Sequence, residues 1–300
     1  MDVLSDILQM VRLRGTVYFQ SDFAGAWGMQ MEASDLAAFH MVVRGNCWLR
    51  TADSATPVPL AGGDMVVFLR GGAHWLADRP DGECVPGRAV IEGIENGRHP
   101  FREGSLCTTL VCGHFEFDRG LHHPLIQGLP DLVHLRGAER PEDGSLDKIV
   151  SLIVQETKAS QAGTAVVVDR LAEILFIQIL RSYMAKVQPG GFWAPLQDRE
   201  ISQALTLLHT RPQASWTIES IARSIGMSRS AFAGRFKQLV GETPIRYLTG
   251  WRMQRARKLL RETNMPVHAV AQQVGYNSQA AFIRAFQREF RQNPGAMRQA

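Results

Sequence analysis

The chain has 300 residues and is 45% hydrophobic, long enough for two domains that each bury a core. No apolar run approaches the ~18 residues that span a bilayer, and the N-terminus mixes Asp2 and Asp6 into its apolar positions instead of showing an export signal, so a cytoplasmic protein without a membrane partner is expected. The net charge of +4 is unevenly spread: residues 195–300 hold 16 Lys and Arg against 6 Asp and Glu, a net +10, while residues 1–194 hold 17 against 23, a net −6. A basic domain joined to a mildly acidic one suggests a polyanion partner for the C-terminal part, with an ordinary solvated basic surface as the alternative reading of the charge alone.

From Gly15 to Phe117 the chain is rich in Gly, Pro and short apolar runs: Thr16–Phe19, Phe39–Val43, Cys47–Leu49, Met65–Leu69 and Thr108–Cys112. These read as strands separated at Arg44–Asn46, Ala61–Asp64 and Arg70–Gly72, the spacing of a small antiparallel barrel or sandwich. Cys47, Cys84, Cys107 and Cys112 are too few and too irregular for a disulfide framework or a paired zinc site, so reduced, mostly buried thiols are expected. From Ser145 the period changes. Leu146, Ile149, Val150 and Ile153, and later Leu171, Ile174, Leu175 and Ile179, recur at helical spacing. The second helix, Ala165–Lys186, is apolar around most of its circumference and should be buried against the barrel, a partner subunit, or both. Four Gly or Pro residues between Gln188 and Pro195 mark a linker. The expected domains are therefore a barrel at 1–144, a helical packing or dimerisation segment at 145–187, a linker at 188–197 and a basic helical domain at 198–300.

Within the basic domain Thr217–Ser228 is echoed by Val267–Ser278. In each copy an Ala (Ala222, Ala271) precedes a Gly (Gly226, Gly275) by four residues: the small side chain lets two helices cross closely, and Gly supplies the positive φ of a tight turn. Ser228 and Ser278 are N-caps opening helices whose buried faces are Phe232, Phe236 and Leu239, and Phe282, Phe286 and Phe290. Each copy is thus a helix-turn-helix, at 217–240 and 267–290. A helix at 244–262 begun by Pro244 separates them, so that one monomer can address successive major grooves about 34 Å apart.

This combination resembles the AraC/XylS regulators, through Trp216–Ala222, Gly226–Phe232, Val240–Pro244, Tyr247-Leu, Trp251–Met253 and Ala271–Tyr276, followed by Ser278, Ala281-Phe, Arg284–Phe286 and Asn293-Pro. The N-terminal part resembles the cupin-type sensor domain of one branch of them, through Leu4–Leu8, Gly25–Gly28, Phe39–Gly45, Gly63–Met65, Gly71–His74, Cys112-Gly and Pro124-Leu. The fold class implied is α+β multidomain, a cupin-like β-barrel with flanking helices ahead of an all-α domain with two helix-turn-helix units. The function implied is a sequence-specific, DNA-binding transcription regulator. Its partners would be double-stranded DNA, a small-molecule effector, a second copy of itself and RNA polymerase.

By position in the family's recognition helices, the outward residues are Arg229, Ser230, Ala233, Gly234 and Lys237 in the first unit and Gln279, Ala280, Ile283 and Arg284 in the second. Arg284 suits guanine and Gln279 adenine, whereas Ser230, Ala233 and Gly234 offer at most one polar contact or contact with a thymine methyl. Gly234 also costs its helix ~1 kcal/mol relative to Ala. The second unit is therefore expected to discriminate bases more strongly, against the usual tendency of the family. Arg252, Arg255 and Lys258, with Arg229 and Lys237, are candidates for the phosphates. The buried-face aromatics and Trp251 have core spacing.

In the barrel, His40, His74 and His114 would suffice for a divalent metal if they converge. The metal-binding cupin pattern is incomplete, because Val42 stands where a second His belongs and Arg70 replaces the usual Pro before Gly71. Hydrogen-bonded structural imidazoles, or polar groups lining an effector pocket, are the alternatives. His122 and His123 read as a loop pair. No GxSxG, P-loop or HExxH motif occurs. No cofactor is expected beyond that metal, and the rival function is a metal-dependent cupin enzyme fused to DNA-binding helices.

Overall fold

The computed structural model describes residues 3–11, 13–117, 128–139, 144–159, 161–186 and 194–298. His122, His123 and positions 188–193 of the expected linker lie outside the described residues. The chain divides into two compact units.

The first unit is built on a nine-stranded mixed sheet: β1 (Arg14–Ala24), β2 (Gly28–Met31), β3 (Ala37–Thr51), β4 (Ser54–Ala61), β5 (Met65–Phe68), β6 (His74–Ala77), β7 (Val85–Pro86), β8 (Leu106–Glu116) and β9 (Leu132–Leu135). The order is β1-β8-β3-β6-β2-β7, with β4 on β3 and β5 joining β3 to β9; of these pairs only β2 and β7 run parallel. The sheet curls into a half-barrel around Phe19, Phe23, Trp27, Met29, Leu49, Phe68, Leu76 and Leu110, all buried. Each such side chain contributes roughly 1.5–3 kcal/mol of burial.

Where the sequence reads two strands broken at Arg44–Asn46, the structure has one strand, β3. A register shift between Val42 and Arg44 and a φ of 83° at Gly45 make the break a bulge inside the strand. The bend lets one strand serve two partners in each half, β8 and β5 first, β4 and β6 after. Pro57 and Pro59 fall in β4, whose one partner among the described strands is β3, so neither missing N–H is needed on its open side.

Helix α2 (Gly87–Glu95) packs on β1, β2 and β7. The hairpin of α3 (Ser145–Ala159) and α4 (Thr164–Lys186) also packs on β1. Gly15 permits the close approach of α4, since a Cβ there would sit 2.6 Å from the Ala172 Cβ. Ala172, Leu175, Phe176, Ile179 and Leu180 are buried, while Val166, Val167 and Ile174 leave an exposed apolar face on the same helix.

The second unit is helical: α5 (Ala194–Gln197), α6 (Arg199–Thr210), α7 (Ile218–Ser224), α8 (Arg229–Val240), α9 (Pro244–Glu262), α10 (Val267–Gln273) and α11 (Gln279–Phe290). The last four positions of the expected linker are thus helical, and α6 is an element to which the sequence reading assigns nothing. Asp198 caps α6 by accepting from Ile201 N at 2.9 Å, and Thr217 and Ser220 close a reciprocal capping box on α7. Helix α1 (Val3–Val11) belongs to this unit too, where it packs on α6 and α9; the sequence-derived bounds group it with the barrel. Val3 and Ile7 carry the packing, with Ile7 only 1% exposed.

Candidate nucleic-acid interface

Two equivalent helical pairs, α7–α8 and α10–α11, emerge from the repeated sequence. Gly226 and Gly275 adopt φ of 73° and 89°, as the turn requires, and Ser228 and Ser278 accept from Ala231 N and Ala281 N at 3.3 and 3.4 Å. Ala222 and Ala271 are buried at the helix crossings. The turn of the second unit is one residue longer, Val274–Ser278 against Ile225–Ser228, so Arg229 corresponds to Gln279 and Gly234 to Arg284. Phe232, Phe236, Phe282 and Phe286 are fully buried, and Trp251 is 2% exposed, as core spacing predicts.

On the outward faces Arg229, Ser230, Gly234, Lys237, Gln279, Ala280 and Arg284 are exposed, while Ala233 and Ile283 are half-buried, Ile283 against the core of its own unit. The two units differ electrostatically. Arg229 Nε is 2.8 Å from the Glu219 carboxylate at the start of α7. Arg235 Nε donates to Asp198 Oδ2 at 2.7 Å, the carboxylate that caps α6. Arg284 has no ion pair or hydrogen bond among the described residues. Hydrogen bonding to its own backbone N–H, ahead of the nearby Arg229, holds the Glu219 carboxyl below its usual pKa. Glu219 and Asp198 escape the sequence reading; the available signal is that they are two of only 6 acids in residues 195–300.

Arg252, Arg255 and Lys258, the expected phosphate contacts, each reach backbone carbonyls of their own unit. Arg252 Nε and Nη2 donate to the carbonyls of Pro212 and Ala214 at 2.6 and 2.8 Å, and its guanidinium lies 5.7 Å from the Tyr276 ring centroid. Partial burial lowers its pKa. The side chain braces the 211–216 segment against α9, with Nε and Nη2 engaged within the protein. Arg255 Nη1 approaches His209 O at 3.5 Å and Lys258 Nζ approaches Gln9 O at 3.3 Å, again inside their own unit.

In the half-barrel, His40 and His74 meet but His114 stands apart. Register pairs His40 with Cys112 across β3 and β8, while His114, two residues along β8, lies opposite Ala38 and places Nε2 3.0 Å from Glu116. His40 Nε2 and His74 Nε2 are 2.8 Å apart, His40 Nδ1 is 3.0 Å from Cys112 Sγ, and His74 Nδ1 is 2.7 Å from Gly72 O. One proton assignment satisfies the chain. A carbonyl only accepts, so His74 carries its proton on Nδ1; its bare Nε2 accepts from His40 Nε2–H, and the bare Nδ1 of His40 accepts from the Cys112 thiol. Burial pushes His40 well below its usual pKa and His74 down to about 4, and pushes Cys112 well above the usual thiol value, so all three are neutral near pH 7.

This geometry does not fit a metal. Two nitrogens sharing a tetrahedral zinc at its usual bond length stand ~3.3 Å apart, wider than the 2.8 Å found. Among the described residues no three His, Cys, Asp or Glu side chains are arranged to hold an ion. Apolar side chains, Phe19, Phe23, Trp27 and Leu110 among them, form the described hydrophobic cluster of the half-barrel. A polar cleft of about 500 Å³ lies beside β1 and the end of α3, lined by Gln20, Ser21, Asp22, Arg102, Thr157 and Lys158.

The cupin family profile matches residues 2–185, and a helix-turn-helix domain profile matches residues 221–300. An AraC-like transcription regulator of Streptomyces antibioticus is 32% identical over 300 residues, covering 99% of this chain and 98% of the relative. The regulator AlkR of Acinetobacter baylyi is 31% identical over 309 residues, covering 100% and 99%. Among solved structures, the C-terminal domain of AraT, a response regulator from Geobacillus stearothermophilus, is similar at 30% identity and a TM-score of 0.32, covering 33% of this chain and 83% of that one. With two capped helix-turn-helix units behind a half-barrel, the chain belongs to the AraC-like transcription regulators, in the branch with an N-terminal cupin domain.

Proposed function

We propose that α8 and α11 are the two reading helices of this regulator and that α11 is the stronger reader. The observation that carries the reading is the contrast at equivalent positions. Arg284 is exposed and without an ion pair among the described residues where the first unit has Gly234, and Gln279 replaces the ion-paired Arg229. Arg284 is assigned to a guanine and Gln279 to an adenine, with Ala280 and Ile283 offering methyl contacts. Ser230, Ala233 and Gly234 give the first unit shape without strong base preference, and Lys237 supplies a phosphate contact.

The polar cleft beside β1 is our candidate effector site. Arg102 and Lys158, which have no ion pair among the described residues, favour an effector bearing a carboxylate or another anionic group. The exposed apolar face of α4, Val166, Val167 and Ile174, supports a homodimer through this helix. An effector shifts DNA binding only to the extent that it prefers one dimer arrangement over another. The enzyme alternative loses its ligand set, since His40, His74 and His114 do not converge.

Selection of bound duplexes from a random pool by the full-length protein tests the reading. Enrichment of paired motifs one helical turn apart, with the stronger base preference in one of the two, supports it. Failure to enrich any sequence overturns it.

A further inference from the structure

We infer that Glu219 withholds Arg229 from DNA phosphates, making the first helix-turn-helix unit the weaker anchor. The inference rests on the reading of α8 and α11 as DNA-facing.

In a helix-turn-helix the start of the recognition helix enters the major groove while the first helix crosses the backbone. Glu219 occupies the first turn of α7 and Arg229 the first residue of α8, so the 2.8 Å pair sits on the edge that meets DNA. Both side chains are substantially exposed, at 48% and 68%. An exposed pair of this kind adds little to folding, yet it sets the charge seen by an approaching phosphate, cancelling one cation and placing an anion beside it. The repeat supplies an internal comparison: aligned through Ala222 and Ala271, the equivalent of Glu219 is His268, which brings no negative charge. The other arginine of α8, Arg235, is likewise held by Asp198, whereas Arg284 on α11 has no ion pair among the described residues. The acids thus weaken the non-specific hold of the first unit and leave discrimination to the second.

The test is the salt dependence of DNA binding by the full-length protein, measured by fluorescence anisotropy between about 50 and 200 mM NaCl on a selected duplex and on an unrelated duplex of equal length. Each phosphate newly neutralised steepens the slope of log K against log salt by ~0.9 and, near 0.1 M salt, tightens binding by roughly five- to tenfold. Glu219→Gln is expected to do this equally on both duplexes, leaving the ratio of specific to non-specific affinity unchanged if the second unit alone reads sequence. Arg229→Gln alone leaves the Glu219 charge uncompensated and is expected to weaken binding on both duplexes, and in the Glu219→Gln background to abolish the gain. Glu219→His, which installs the side chain of the second unit, provides an independent variant should the first fold poorly. A Glu219→Gln protein that binds more weakly, or with an unchanged slope, overturns the inference and makes Glu219 a residue that presents Arg229 to DNA. Absence of duplex selection by the unsubstituted protein would instead defeat the underlying reading.

Discussion

The Asp6 carboxylate lies 3.5 Å from His209 Nδ1, and on the other side of the same ring Nε2 meets the Tyr247 hydroxyl at 2.6 Å. The imidazole also stacks on Trp251, with centroids 3.9 Å apart. Helix α1 is thereby joined to α6 and α9 by a buried polar link flanked by Val3 and Ile7. Ile7→Ala should cost about 2–5 kcal/mol in the helical unit, the usual range for emptying a closed core site. Denaturant unfolding followed by the fluorescence of Trp216 and Trp251 would show it. A loss below about 1 kcal/mol would mean that α1 is not part of this core.

Acid should destabilise the protein before its carboxylates titrate. Burial lowers the folded pKa of His209, against the opposing pull of Asp6, and lowers those of His40 and His74, the last to about 4. Unfolded imidazoles take protons near pH 6.5, so the unfolded chain binds more protons below that pH. The stabilisation is complete above about pH 6.5 and is lost as pH falls toward about 4. His74 alone accounts for up to about 3 kcal/mol by about pH 4. Urea midpoints at pH 7.5, 6.0 and 5.0 should fall in that order. Equal midpoints would refute the buried neutral assignment.

The two turn glycines should differ sharply in tolerance. At Gly226, φ is positive but nothing lies within 4 Å of the position a methyl would take, so Gly226→Ala should cost about 1–2 kcal/mol of left-handed strain alone. At Gly275 the methyl would sit 2.7 Å from Gln213 Cα and 2.9 Å from Arg252 Nη2, so Gly275→Ala adds an overpacking cost and should approach about 3 kcal/mol or more. Thermal melts of the two variants decide it. Equal shifts would contradict the packing of the 211–216 segment against the second turn.

Arg252 and Arg284 should separate stability from recognition. Arg252→Ala removes charge-assisted bonds to Pro212 O and Ala214 O and should cost about 2–3 kcal/mol of stability while leaving the salt dependence of DNA binding unchanged. Arg284→Ala should leave the melting temperature within a degree or so and cost ~1–3 kcal/mol on one base position. A shallower salt slope in Arg252→Ala would return that residue to the phosphates.

The repeated Ala–Gly–Ser frame, the phenylalanines at helical spacing and the concentration of positive charge after Pro195 were sufficient to place two helix-turn-helix units and their polyanion partner. Each of these signals acts within a turn or two of its own helix, where capping, positive φ and periodicity are local properties. The tertiary structure decided what links distant positions. It turned an apparent break at Gly45 into a bulge in one long strand, because β8, β5, β4 and β6 all need that strand as a partner. It drew His40 and His74 into one proton chain with Cys112 and left His114 outside it. It placed Val3–Val11 among the C-terminal helices, and it committed Arg252 to carbonyls some 40 residues away. Burial and pairing across such separations depend on which surfaces meet, and no spacing along the chain records that.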